Sequence, residues 1–414
     1  MQRQRQLADA EGKPLEVVYP GRPNDGRGAD FREAVISSSG QRQLGFIEVH
    51  ARVSGWQAHG HHRDPAYNQV VLHVAWEEDR PGETLLQNGR SIPTVILKNI
   101  SQRKQSKAAP QPSLACQEAG RPSPEYLVKL LEEGGDSRFA ERVARYRDEL
   151  IEIEAGQSFY QGVAEALGYA KNKTPFLELA YRAPLSLLQK TIDHESDTPS
   201  SLAILQAVLL GKAGFLDSGY LESYLPADYG RNLAEIWSSQ KYEDAMRQAD
   251  WELFKIRPGN HPVVRILALS QLLVRFRQKG FVAALLDIVR QTKTEKCQSA
   301  LESALMVDVE ECGNKSTLLG RQRAAEICVN ALLPFTLAWS RAASESVLAD
   351  KTLEIYRRYG RLESNSIERH MLVQLALKTR QVNSARRQQG LIHIYKTLCS
   401  QGKCDECPIS GEGC

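Results

Sequence analysis

No apolar run in the sequence approaches the ~20 residues that a membrane-spanning helix requires, which excludes a helical membrane protein. The opening residues, MQRQRQLADAEG, lack the apolar centre of a secretory signal, so a cytoplasmic location and no membrane partner are expected. Charge of one sign is also missing: 53 basic residues against 50 acidic ones leave a formal +3. That balance excludes a uniformly basic coat, and any nucleic-acid footprint has to be local. No fixed-period repeat is present, which removes solenoids. What remains is an ordinary globular composition, with 42% hydrophobic and 25% charged residues in a chain of 414, long enough for two or three domains.

One absence is regional. Between Glu83 and Glu118 there is no acidic residue, whereas Arg90, Lys98, Arg103, Lys104 and Lys107 all fall there. The part SQRKQSKAAPQPS reads as a basic linker or loop over residues 101–121. A solvated connector is the first expectation, and an arm that follows a phosphate backbone through Arg103, Lys104 and Lys107 is the sharper one. Before it, residues 1–100 are rich in strand signals. FREAVISSSG alternates and stops at Gly40; LGFIEVHARV sets Phe46, Glu48 and His50 on one face; QVVLHVAW is a β-branched run suited to a central strand. After it, residues 122–414 read as an all-helical domain. RPSPEYLVKLLEEGG offers Ser123 as N-cap with Pro124 in the first turn, and later segments keep a 3.6-residue apolar period.

Histidine is scarce but concentrated. Of nine in the chain, five (His50, His59, His61, His62 and His73) lie between Gly45 and Trp76, together with Glu48 and Asp64. Asp30 precedes one strand and Glu48 lies in the next, so two carboxylates can meet one hard cation, Mg²⁺ or Mn²⁺. His50, two residues after Glu48, serves as general base or third ligand, and the latter role favours Mn²⁺ or Zn²⁺. His59, His61, His62 and Asp64 are candidates for a second shell or second metal position, set against a polar surface loop. His61 and His62 cannot both face one point. His73 sits within an apolar strand, where a hydrogen-bonded core histidine is the first expectation and a part in that second shell or second metal position the other.

Cysteine is concentrated too. Cys399-x4-Cys404-x2-Cys407-x6-Cys414 packs four thiols into the last sixteen residues. The x2 pair is a chelating turn used by zinc and by iron–sulfur clusters, and the spacing accepts either Zn²⁺ or [4Fe–4S]. Cys116 is the substitute for Cys414 as fourth ligand. In the helical region, Lys171, Lys173 and Arg257, with Arg265, Asn172 and Asn260, suit phosphate contacts, although helix-capping loops with solvated charges explain them as well.

Several stretches together resemble a bacterial family carrying only a domain-of-unknown-function label: PGRPNDGRGADFREAVI, GFIEVHARVSGWQAHGHHRDPAYNQVVLHVAW, ALGYAKNKTPFLELA, RPGNHPVVRI, GRQRAAEICVNALLPF and GLIHIYKTLCSQGKCDECP. The resemblance covers nearly the whole chain and implies no activity. The N-terminal part of that pattern is similar to the metal-dependent nuclease fold written PD-(D/E)xK, which is restriction-endonuclease-like. There an Asp opens the second strand, here Asp30; the third carries Glu-x-Lys, here Glu48-Val49-His50; a helix and a fourth strand follow, here GWQAHGHHRDPAY and VVLHVAW. The resemblance implies an α+β protein: a mixed nuclease-type sheet, then a large helical domain ending in a cysteine-bound metal or cluster. It implies metal-dependent hydrolysis of phosphodiester bonds in DNA, or RNA, with Asp30, Glu48 and His50 as catalytic residues. Two rivals stand beside it. One is a non-catalytic nucleic-acid-binding scaffold with a decayed core, suggested by His50 in place of Lys. The other is a Zn²⁺- or Mn²⁺-dependent hydrolase of a small substrate with histidines as primary ligands.

Overall fold

Strand-forming segments between Leu7 and Ile96 build one mixed sheet. They are β1 Leu7–Ala8, β2 Pro14–Tyr19, β3 Arg22–Pro23, β4 Phe31–Ser38, β5 Gln41–Arg52, β6 Val70–Glu77 and, after the small β7 Thr84–Leu85 and β8 Ser91–Ile92 hairpin, β9 Thr94–Ile96. These belong to a computed structural model that describes residues 7–24, 26–98, 116, 123–169, 171–192, 198–216, 221–240, 244–311 and 314–409. The sheet order is β1-β2-β4-β5-β6-β9, with β3 paired to β4. From β1 to β5 neighbours are antiparallel, while β5, β6 and β9 are parallel. The run VVLHVA in β6 is buried throughout, as a strand paired on both sides requires.

The antiparallel ladder slips between Phe31 and Ala34, and Glu33 there takes a φ of 57°. This bulge turns the Glu33 carboxylate toward Arg22 Nε, 2.8 Å away, and Tyr395 Oη, 2.6 Å away. Side chains of β5 then alternate as expected. Ile47 and Val49 join Leu15, Val17, Ile36, Leu72 and Val74 in one apolar cluster, and Glu48 and His50 point to the other side.

A parallel pair needs a crossover, usually a helix. Between β5 and β6 the chain makes only the four-residue helix Gly55–Ala58 and two 3-10 turns, His61–Arg63 and Pro65–Tyr67. Gly60, whose missing Cβ permits φ 75°, and Pro65, which has no N–H to donate, break any longer helix.

By compactness the chain forms two units: Met1–Gly135 with Ser364–Asn383 and Arg387–Cys414, and Asp136–Glu363 with Ser384–Arg386. This grouping differs from the division drawn at residues 100 and 122. The cysteine segment, expected to close the helical domain, groups with the sheet. Val18, Tyr19 and Val35 share an apolar cluster with Leu131, Met371, Leu391, Tyr395, Cys399 and Cys407. Gly402 explains part of that closeness, since at φ 65° a Cβ would stand 3.0 Å from Val35 Cγ1.

The second unit is largely helical, with a core including Phe159, Tyr160, Leu209, Ile266, Leu301 and Phe335. It is not all-helical as expected, because β10 Val307–Glu311 and β11 Asn314–Leu319 form an antiparallel hairpin. A π-helical turn, Cys328–Leu332, precedes Pro334, whose missing N–H cannot continue the regular ladder. The fold class is α+β, with an N-terminal mixed sheet and a large helical part.

Candidate metal centre

The sheet brings Asp30 and Glu48 together through their backbones. The Asp30 N–H donates to Glu48 Oε2 at 3.0 Å, and the Val49 N–H donates to Asp30 Oδ2 at 3.0 Å. Each carboxylate is therefore held by a backbone N–H at, or next to, the residue that carries the other. Burial, and then the neighbouring Glu48 charge, raise the Asp30 carboxyl above its ordinary range.

Three histidines converge on the free side of Glu48. One ring nitrogen from each of His50, His59 and His61 lies within 4.8 Å of the other two. His50 Nε2 is 3.1 Å from His59 Nδ1 and 3.7 Å from Glu48 Oε1, while His61 Nε2 is 3.2 Å from that same oxygen. Donors held at 2.0–2.1 Å around a tetrahedral ion would stand ~3.3 Å apart. The observed separations bracket that value. His61 Nε2 is buried and, despite Glu48 Oε1 nearby, makes no hydrogen bond among the described residues. Such an orphan costs roughly 1–3 kcal/mol unless something satisfies it, and a cation on that nitrogen would do so.

Behind the ligand atoms runs a buried chain. His50 Nδ1 is 3.1 Å from His73 Nε2, His73 Nδ1 is 3.0 Å from Thr84 Oγ1, and Thr84 Oγ1 is 2.7 Å from Thr94 Oγ1. If His50 Nε2 offers its lone pair outward, its proton sits on Nδ1 and is donated to His73 Nε2. His73 then carries its proton on Nδ1 and donates to Thr84. One tautomer at the site fixes every donor behind it. Burial favours the neutral form of both rings: it lowers His50 against the opposing pull of Glu48, and takes His73 down to about 4.

The crossover holds the rings in place. Ser54 N–H and Oγ both donate to Asp79, at 3.0 and 2.5 Å. A Cβ on Gly55 would stand 2.7 Å from His50 Cδ2, so the turn seats on that ring only because glycine is there. Trp56 is buried, donates from Nε1 to the Leu85 carbonyl at 2.9 Å, and meets the edges of His61 and His73. Tyr67 stacks on His61 with centroids 3.8 Å apart.

Not every candidate joins. Asp64 caps the Pro65–Tyr67 turn through the Ala66 N–H and pairs with Arg27 at 3.1 Å, contacts that hold its carboxyl below its ordinary range. His62 is outside the triad, as the geometry of adjacent residues demands, and its Nδ1 is buried without a hydrogen-bond partner among the described residues. Lys171, Lys173 and Arg257 fall in the helical unit, where Lys171 Nζ donates to the Phe254 carbonyl and Arg265 is buried against the Leu318 carbonyl and Asn260. Arg103, Lys104, Lys107 and Cys414 lie outside the described residues. Cys399, Cys404 and Cys407 line one cavity with Cys116. The residues that sequence reasoning missed are Thr84, Thr94 and Gln374, none of which belongs to a motif, and Gly55, which opens GWQAHGHHRDPAY without a role assigned to it.

A larger cavity of about 650 Å³ lies in the helical unit, with apolar walls, three arginines and Asp136. It contains neither histidine nor cysteine, so the imidazole cluster is the better candidate for chemistry.

A family model described as protein of unknown function, DUF2851, matches residues 1–366, and the chain belongs to that family. No curated protein and no solved structure matches it.

Proposed function

We propose that this member of the DUF2851 family is a metal-dependent hydrolase of phosphodiester bonds, with His50, His59, His61 and Glu48 holding the cation. The observation that carries this reading is the convergence of three imidazole nitrogens and Glu48 Oε1, one of those nitrogens buried without a hydrogen bond. Imidazole-rich sets suit Zn²⁺ or Mn²⁺ better than Mg²⁺, which prefers oxygen. A cation there supplies Lewis-acid polarisation of the scissile group and acidifies water.

The chain's own groups supply the rest. Asp30 Oδ2 is held by Val49 N–H, which leaves Oδ1 to take a proton from the attacking water. The His73–Thr84–Thr94 chain holds His50 in one tautomer. Arg32, two residues after Asp30, donates to the Arg27 carbonyl at 2.7 Å and adds positive charge that favours an anionic substrate, while Arg27 itself pairs with Asp64. The order Asp30, then Glu48-Val49-His50 on the adjacent strand, then a crossover to parallel β6, supports a resemblance to the PD-(D/E)xK arrangement and hence nucleic acid, DNA before RNA, as substrate.

The histidine ligands favour a second reading, a Zn²⁺ or Mn²⁺ hydrolase of small esters. The decayed-scaffold reading fits less well, since burying Glu48, His50, His61 and His73 together destabilises a fold that gains nothing from them. The test uses full-length protein stripped of metal, then given Zn²⁺, Mn²⁺ or Mg²⁺, with DNA, RNA, a chromogenic phosphodiester and a chromogenic carboxylic ester as substrates. Zn²⁺- or Mn²⁺-restored phosphodiester cleavage is the expected result. Ester cleavage alone selects the small-substrate reading, and no turnover with any metal rejects both.

A further inference from the structure

We propose that Cys116, Cys399, Cys404 and Cys407 form the binding site of a [4Fe–4S] cluster, with Cys116, distant in sequence, as the fourth ligand in place of Cys414. The four are thiols and line a single cavity in the sheet-bearing unit. The Cys407 N–H donates to the Cys404 carbonyl at 3.2 Å, closing the turn that sets the x2 pair side by side. Gln374 links the other two: its Nε2 donates to Cys116 Sγ at 3.7 Å and to Cys399 Sγ at 3.5 Å. The amide is itself oriented from behind, because Tyr19 Oη donates to Gln374 Oε1 at 3.1 Å.

Spacing separates the two cofactors that four cysteines accept. No three of these sulfurs lie within 4.8 Å of one another among the described residues. A tetrahedral zinc ion with Zn–S bonds of about 2.3 Å needs its sulfurs ~3.8 Å apart. A four-iron cluster binds each thiolate at a different iron and spreads the sulfurs farther. The surroundings fit as well. Met371, Ile394, Leu398 and Ile409 wall the cavity with apolar surface, and amide N–H groups directed at sulfur tune the potential of such clusters.

The test is metal analysis of the full-length protein purified without oxygen. The expected result is about four iron and about four acid-labile sulfide per chain, with broad absorption near ~400 nm. C116S should lose both while C414S and C297S keep them, with circular dichroism showing that each variant is folded. One zinc per chain and no iron overturns the proposal, as does C116S with full iron or C414S without it. Should C116S fail to fold, alkylation of the wild-type protein decides. Cys116 is expected to label only as the cluster is destroyed, and labelling of Cys116 in the intact protein overturns its role. Gln374→Leu keeps all four thiols and should shift the reduction potential without changing iron content.

Discussion

The imidazole cluster and the thiol cluster belong to the same compact unit, yet they differ in spacing and in access. His50 and His59, His61 and Glu48, and His50 and Glu48 bring donor atoms to 3.1, 3.2 and 3.7 Å. The three imidazole nitrogens fall within 4.8 Å of one another, a spacing suited to a single ion, and His59 is exposed. No three of the sulfurs lie within 4.8 Å of one another among the described residues; Cys399 and Cys407 are buried, and Cys116 and Cys404 half-buried. On the two proposals, exposed His59 beside Glu48 would give substrate a way in, whereas a centre held by the thiols would fasten chain segments that sequence keeps far apart. On those proposals, donor spacing is what distinguishes a single-ion site from a cluster site.

The comparison is broken most directly by Glu48→Gln. It should lower metal-dependent hydrolysis by about 100-fold or more, because a ligand matters at least as much as the groups behind it, while the melting temperature stays nearly constant. An equal loss of both would mean that Glu48 is structural. Cys407→Ser should do the reverse. Loss of a structural centre should lower the melting temperature by at least about 5 °C, or roughly 2 kcal/mol for a unit of this size, with Zn²⁺ binding at the histidines retained. Unchanged thermal unfolding would remove the fastening role.

Much of this contrast was legible in sequence, and the limits have physical causes. The parity of FIEVH placed Glu48 and His50 on one face, and the chain order put Asp30 beside them; both follow from the two-residue strand period. The choice of His59 and His61 over His62 was not legible, since it depends on Gly60 adopting φ 75° before a 3-10 turn. Thr84 lies in a two-residue strand, which has no periodic signal. The packing of the cysteine segment on β2 and β4 joins residues hundreds apart, as Tyr19 with Gln374 does, and local patterns cannot encode such a pairing. The alternation of VDVEE was present, but the strong helical periods on either side masked the hairpin.

A smaller effect sharpens the role of the buried chain behind His50. Thr84→Val removes the group 3.0 Å from His73 Nδ1 and leaves that nitrogen without its acceptor. Metal affinity should fall by about 10- to 100-fold, measured by competition with a chromogenic chelator. Thr84→Ser should restore it, because serine keeps the hydroxyl. A Val variant with unchanged affinity would show that His50 needs no support from behind.

The smallest expected effect is a pH dependence between the two clusters, at Glu33. Its carboxyl is partly buried, which alone would raise it, but the Tyr395 hydroxyl and the Arg22 guanidinium reverse the sign and hold it below the ordinary carboxylate range. A group whose folded value is depressed stabilises the fold above its unfolded value, and that contribution fades as pH falls through the folded value. Glu33 therefore adds stability near neutrality that is lost in acid, as pH falls through its depressed folded value. The side chain is 38% exposed, so solvent screens much of the interaction. Glu33→Gln should lower the melting temperature slightly at pH 7 and by less at pH 3, while leaving both iron content and metal-dependent hydrolysis unchanged. A variant equally destabilised at both pH values would assign Glu33 to packing at the β4 bulge instead of to its charge.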